Sequence, residues 1–431
     1  MVIRPKILDV VDNDLCIACG ACIEACPKKM VVPAYNSKRG AEEVRILKDQ
    51  SECLDCPSHC DDVCPSIEVD FRGLEGFPTV KYGQRFGPIK KALIGYAIEH
   101  RENGVSSSGG IVRALIHDSI DRGQAVICLA ENGSGGYLPA RIEERDNIQS
   151  IPGSIYHSVS FDGAIKLCRN SDRECVLVAT PCQLEGIEKY IENKEPSLQE
   201  KIVLRIGLIC GWMFSNHTLL SFANYKGIKG HVTHAMYRGE NEKGRLKFKA
   251  GNKDFSFSRR HFATKQETVD YQASFSSVLN RLRCRVCENH LNVLADIAVG
   301  DAWLQRKEGD KTSIILARTL SGLMRLDELE NKGNLVTEES HATEDLLESQ
   351  SSALVYGTKA REISKYLKGR GLHMPRFLYR DPTDFVEAEL PIKKRILIRI
   401  EMILRGIVRN RWYKIYRFIY IVRKKIISVV R

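Results

Sequence analysis

Cys16-Ile-Ala-Cys19-Gly-Ala-Cys22-Ile-Glu-Ala-Cys26-Pro27 and Cys53-Leu-Asp-Cys56-Pro-Ser-His-Cys60-Asp-Asp-Val-Cys64-Pro65 hold eight of the fifteen cysteines in this 431-residue chain. The first run has the spacing in which three close thiolates hold one [4Fe–4S] cube and the fourth reaches to another. A short loop can wrap three corners of a cube, while the fourth corner faces away. The expected division is therefore Cys16, Cys19, Cys22 and Cys64 on one cluster, and Cys53, Cys56, Cys60 and Cys26 on the other. The proline after each fourth cysteine turns the chain without offering an amide hydrogen. Paired Cys-x2-Cys motifs also bind zinc, and cysteine-dense segments also form disulfide scaffolds. Three cysteines in a row closed by Cys-Pro favour the cubes. The second run departs from the first by one extra residue between Cys56 and Cys60.

A chain of this length can bury a large core in two or three domains. Met1 is followed by Val-Ile-Arg-Pro-Lys with no leader-like apolar run, and no apolar stretch approaches the roughly 20 residues of a membrane span. Many cysteines without an export signal point to metal ligation in a reducing compartment, so a cytoplasmic protein is expected. The net charge of +11 is unevenly placed. Residues 391–431 carry thirteen Lys/Arg against one acid, Glu401, which leaves 52 basic and 53 acidic residues elsewhere. A neutral body argues against nucleic-acid binding.

Residues 1–80 are expected to form a small ferredoxin-like module, with Asn36–Glu43 turning between its cluster loops and Gly73, Gly76 and Pro78 marking its exit. Ile89–Glu99 suits a strand or a short helix. Ser107-Ser-Gly-Gly110 then opens a stretch with apolar residues at 111, 112, 115, 116 and 120, which is helical spacing. Such a loop presents free amides to a phosphate, or simply caps a surface helix. No GxGxxG follows a strand, so a Rossmann dinucleotide site is not indicated. Ala125–Ala130, Val176–Thr180 and Ile202–Ile209 read as buried strands. The last two end at Cys182 and Cys210, where open α/β sheets place ligands. Cys182, Cys210, Cys284 and Cys287 would complete a third cubane site if the fold brings them together, whereas Cys128, Cys168 and Cys175 read as structural. His231–Ser258 has the alternation of a β meander. His157 and His217 are conceivable proton donors, although a lone histidine is more often structural. In the tail, basic residues alternate with Ile400, Leu404, Ile407, Val408, Trp412, Ile415 and Ile419. The pattern suits an amphipathic helix or helix pair on an anionic membrane surface or an acidic partner, or packed on the protein's own body.

Together, Ser107-Ser-Gly-Gly110, Gly153-Ser-Ile-Tyr156, Thr180-Pro-Cys-Gln183, Cys210-Gly211, Cys284-x2-Cys287 and Ala295-Asp-Ile-x2-Gly-Asp-x-Trp303 resemble the family of coenzyme F420 hydrogenase/dehydrogenase beta subunits over about residues 85 to 320. The resemblance implies an α/β (α+β) flavoprotein core with a mixed sheet over residues 85–325, binding FAD without a Rossmann motif beside a [4Fe–4S] cluster. It implies Cys182, Cys210, Cys284 and Cys287 as that cluster's ligands, and Ser107, Ser108, Gly109, Gly110, Asp296, Gly300 and Asp301 as FAD contacts. A helical part would follow over 326–390, then the basic amphipathic tail over 391–431, which departs from the family. The implied activity is flavin- and iron–sulfur-dependent oxidoreduction, with ferredoxin or another redox protein as partner and F420 or another organic molecule as hydride acceptor. A non-catalytic electron-transfer subunit, or a reductase serving polysaccharide synthesis, are the alternatives.

Overall fold

The computed structural model describes residues 6–47, 59–74, 87–99, 106–238, 245–258, 265–304, 311–339, 344–378 and 390–430. Its strands in chain order are β1 Val31–Asn36, β2 Ala41–Ile46, β3 Glu68–Asp70, β4 Lys91–Ala97, β5 Ala125–Glu131, β6 Tyr137–Ile142, β7 Cys175–Ala179, β8 Ile202–Leu208, β9 Val232–Met236, β10 Arg245–Ala250, β11 Lys253–Ser258, β12 Ile297–Asp301, β13 Ser313–Ala317, β14 Leu335–Glu339 and β15 Arg376–Leu378. Eight of them make one sheet in the order β14-β4-β13-β12-β8-β7-β5-β6. The central four, β12, β8, β7 and β5, run parallel, and the flanking pairs are antiparallel. The sheet is thus mixed, and Ile89–Glu99 resolves as the strand β4 within it.

Both faces of the sheet are buried, as continuous apolar runs demand. Alternation sorts each strand: Val176, Val178, Ile297, Val299 and Ile315 enter one core, while Leu177, Ala179, Ala298, Ile314 and Leu316 enter the other. The first core is covered by helix α1, Ile111–Asp121, through Ile111, Ala114, Leu115 and Ile116. The second is covered by helix α2, Pro181–Lys194, and it is continuous with Ile7, Val10, Leu15, Val44 and Val63 of the N-terminal module. That module therefore shares a core with the sheet. Its strands β1 and β2 form a hairpin turning at residues 37–40, and β3 pairs with β15 from near the other end of the chain.

Strands β9, β10 and β11 make the meander, with Gly251 and Asn252 between the last two. The other helices include the short α3, Leu282–Arg285, and the C-terminal pair α4, Ile392–Arg409, and α5, Tyr413–Val430. The pair docks through Leu404, Val408, Tyr413 and Tyr416 onto Phe214, Ala273, Val278 and Leu279. Among the described residues no helix is long and apolar enough to cross a membrane.

Candidate functional site

Cys16, Cys19, Cys22 and Cys64 line one small cavity with Ile7, Val10 and Val44. Left-handed backbone at Ala18 (φ 53°) and Gly20 (φ 83°) folds the loop tightly enough to turn three thiols inward. Backbone amides also point at sulfur: Ala18 N donates to Cys16 Sγ at 3.5 Å and Met30 N to Cys26 Sγ at 3.2 Å. Burial, then the sulfurs of Cys19, Cys16, Cys64 and Cys60, pushes the Cys22 thiol well up. Cys60 therefore approaches the first group from the second run. Cys53 and Cys56 lie outside the described residues.

The core cysteines arrive from three separate segments. Cys182 sits in the first turn of α2, which starts at an N-terminal capping box made by Thr180 and Gln183 with Pro181 behind it. Cys210 lies just past β8, Cys284 in α3, and Cys287 beyond it. Met213 N donates to Cys284 Sγ at 3.3 Å. Burial pushes Cys182 and Cys287 up to about 12, and Cys210 well up, each with help from sulfurs of the same set. Buried thiols that repel one another ionise only where a cationic centre compensates them. Among the described residues no three His, Cys, Asp or Glu side chains stand close enough to hold a single ion. Tetrahedral zinc would need its sulfurs about 3.8 Å apart, whereas a cubane spreads them over four iron corners. The donor set suits the cubane.

The two groups adjoin. Burial, then Cys64, Cys16 and Cys182, pushes the Cys19 thiol well up. Cys182 and Gly186 share a face of α2 at i, i+4 spacing, and a Cβ on Gly186 would meet Cys19 Sγ at 2.7 Å. Only glycine lets the helix approach the loop so closely. Arginines flanking Cys284 lock the contact. Arg281 donates to Cys16 O (2.7 Å), Glu42 O (3.1 Å), Ser158 Oγ (3.1 Å) and Asp14 Oδ1 (3.2 Å). Arg283 donates to Glu185 Oε2 (3.0 Å), Pro65 O (3.2 Å) and Ser66 Oγ (3.2 Å). Sequence reasoning passed over Arg281, Arg283 and Glu185. Their signal was Arg-Leu-Arg-Cys-Arg, a dense charge run beside buried cysteines.

Beyond the core cysteines a cavity of about 300 Å³ opens at the C-terminal ends of the parallel strands. Ser106–Ser108, Gly110, Gly153–His157, Thr180, Cys210, Gly300 and Asp301 are on its wall. The volume is at the lower end of small-molecule pockets. Gly110, at φ 80°, opens α1, whose first amides have no partner within the helix. The Ser107 and Ser108 hydroxyls are engaged, one accepting from Ser154 N at 3.1 Å and the other donating to Thr312 O at 2.8 Å. Ser106 Oγ is buried with no hydrogen-bond partner among the described residues, a feature that serine-by-serine reading of the motif missed. Gly109 lies behind the wall: a Cβ there would meet Gly95 O at 2.6 Å and Ser313 N at 2.8 Å. A helix N-terminus, an unmet hydroxyl and a mostly apolar wall fit a flavin with its phosphates.

Asp296 requires a correction. It precedes β12, at the end away from the cavity, and accepts from Arg205 N and Thr319 Oγ1, each at 2.7 Å. Five residues of strand put it about 17 Å from Asp301, so one motif places its two aspartates at opposite ends of β12. Asp301 pairs with Arg238 at 2.6 Å, and Arg238 also covers the Trp303 ring. Lys311 donates to Ser106 O at 3.0 Å. His157 is on the cavity wall with its Nδ1 2.8 Å from Tyr237 OH, and burial holds its pKa at about 4, a neutral ring at neutral pH. His217 is structural: Nε2 donates to Lys38 O, so Nδ1 accepts from Tyr413 OH. Cys128 touches the cavity as a buried thiol raised to about 12, and Cys168 and Cys175 pack together in the core.

Residues 172–343 match the family model that describes the C terminus of the coenzyme F420 hydrogenase/dehydrogenase beta subunit, and residues 15–67 match the 4Fe-4S dicluster domain. The chain is 24% identical over 318 residues to the F subunit of F(420)H(2) dehydrogenase from Methanosarcina mazei, covering 69% of this chain and 80% of that one. An uncharacterized protein of Methanocaldococcus jannaschii is 22% identical over 333 residues, covering 69% and 83%. A probable oxidoreductase of Bacillus subtilis is 34% identical over 71 residues, 15% of this chain and 7% of that one. The fold is shared with a chain of the F420-reducing [NiFe] hydrogenase complex from Methanosarcina barkeri, at a TM-score of 0.51 and 18% identity, over 69% of this chain and 98% of that one.

Proposed function

We propose that the protein is an iron–sulfur flavoprotein oxidoreductase, since residues 172–343 match the model for the C terminus of the coenzyme F420 hydrogenase/dehydrogenase beta subunit and residues 15–67 match the 4Fe-4S dicluster domain. It exchanges electrons with a redox partner and hydride with coenzyme F420 or another organic acceptor. One observation carries this reading: the cysteine groups succeed one another, Cys60 beside Cys22, Cys19 beside Cys182, and Cys210 on the wall of the ligand-sized cavity.

In this reading Cys16, Cys19, Cys22 and Cys64 hold one cluster, Cys26, Cys53, Cys56 and Cys60 a second, and Cys182, Cys210, Cys284 and Cys287 a third. Ser106–Ser108, Gly110 and the start of α1 hold the FAD phosphates, with Gly300 and Asp301 beside them on the cavity wall. When bound, the clusters supply single-electron transfer and the flavin two-electron storage and hydride exchange. The chain's own contribution is placement. α2 carries Cys182 toward Cys19, and the Arg281 and Arg283 clasps hold the loops at fixed separation. Apolar Ile111, Val178, Leu208 and Val299 keep water from the cavity floor. His157, kept neutral by burial and oriented by Tyr237, offers the cavity an uncharged polar ring.

Oxygen-free purification with iron, sulfide and flavin analysis tests the proposal. About twelve irons and one flavin per chain are expected, with absorbance changes when the reduced protein meets F420. Iron without flavin would leave only an electron-transfer adaptor, and zinc in place of iron would overturn the reading entirely.

A further inference from the structure

The C-terminal helix pair meets the body by one face only. On α4, Leu404, Arg405 and Val408 are buried, with Arg405 donating to Ser277 O at 3.0 Å and Arg409 to Asp14 Oδ2 at 2.7 Å. Glu401, the one acid in residues 391–431, is held by Arg285 at 2.9 Å and by Arg405. Every charge on that face is thus answered by the body.

The opposite face is left outward. Ile392, Ile396, Ile400 and Ile403 recur at i, i+4, i+8 and i+11, which is one stripe of a helix. They are exposed, Ile392 by 68% and Ile403 by 57%. Exposed Lys393 borders the stripe on one side, and exposed Arg395 and Arg399 on the other. On α5, Ile415, Phe418 and Val422 repeat the design at i, i+3 and i+7 beside exposed Lys414, with Phe418 67% exposed. At the turn between the helices, Trp412 is 56% exposed next to Arg411.

We infer that this outer face of α4 and α5 is a docking surface for an anionic lipid bilayer. Aliphatic and aromatic side chains bordered by cations, with no acid among them, match the acyl–headgroup boundary in both polarity and sign of charge. Long basic side chains there keep their charge at the phosphates while their stems cover apolar surface. An acidic protein partner answers the charge but fits the stripe less well, because protein interfaces deplete charge around their apolar centre. No described helix can span a membrane, so the helices lie on the surface. This inference is independent of the redox reading.

The test is flotation of the full-length holoprotein with phosphatidylcholine vesicles, pure or with about 30% phosphatidylglycerol. Binding to the anionic vesicles that weakens with salt is expected. The triple variant Lys393→Gln/Arg395→Gln/Arg399→Gln should bind about 100-fold more weakly, at about fivefold per cation. Ile396→Asp/Ile403→Asp should not float, while keeping its iron content and far-ultraviolet circular dichroism. The inference is overturned if wild-type protein ignores anionic vesicles at low salt. It is equally overturned if the isoleucine variant floats as well as wild type, or if pure phosphatidylcholine binds the protein equally.

Discussion

Replacing Arg283 with methionine removes one half of an ion pair whose side chains are 1% and 0% exposed. Methionine keeps most of the apolar stem but leaves Glu185 Oε2 without its 3.0 Å partner, with only Asn289 Nδ2 on the other oxygen at 2.9 Å. Breaking a buried pair from one side costs about 3–5 kcal/mol, and the bonds to Pro65 O and Ser66 Oγ are lost as well. The sign of the pH dependence follows from Glu185. Burial already raises its carboxyl, and the Arg283 charge is the largest opposing influence. Without that charge the carboxyl rises further. A carboxyl raised in the folded state destabilises once ionised, so the deficit of Arg283→Met is largest at neutral pH and narrows on acidification. Oxygen-free urea unfolding of wild type, Arg283→Met, Glu185→Gln and the double variant, at neutral pH and near pH 5.5, measures both effects. The double variant should recover about 2 kcal/mol relative to the summed singles. A single-variant cost under about 1 kcal/mol, an additive cycle or a pH-independent deficit would each refute the assignment of the pair as the clamp between α2 and α3.

Gly109→Ala should lower flavin per chain and leave iron unchanged, because its Cβ would press on Gly95 O and Ser313 N, both backbone. Equal flavin content in the two proteins would show that the loop has no part in binding it. Gly186→Ala is expected to lose about four irons per chain, since the new methyl would fall 2.7 Å from Cys19 Sγ; full iron retention would contradict the close contact. For His157, a pKa of about 4 against about 6.5 in the unfolded chain means that stability is lost as pH falls through 6.5, by up to about 3 kcal/mol. His157→Gln should flatten that acid limb in unfolding measured from neutral pH to about pH 5, and an unchanged limb would place the titrating group elsewhere.

Spacing along the chain determined the N-terminal grouping, because a loop of a few residues has little choice about which side chains it can turn inward. Cys16, Cys19 and Cys22 were legible for that reason, and so were β5, β7 and β8, whose apolar runs declare strands buried on both faces. The aspartates of Ala295-Asp-Ile-x2-Gly-Asp were not separable in the same way. Only strand direction shows that Asp301 reaches the cavity and Asp296 the far end of β12, tying Arg205 to Thr319. The meeting of Cys182, Cys210, Cys284 and Cys287 likewise depends on two parallel strand ends and a distant loop converging, which sheet order imposes and sequence spacing does not encode. The same holds for Arg281, Arg283 and Glu185. Charge is ordinarily a surface signal, and it becomes a core element here only because the N-terminal module and the sheet close over it, leaving each ion a partner that lies 98 or more residues away.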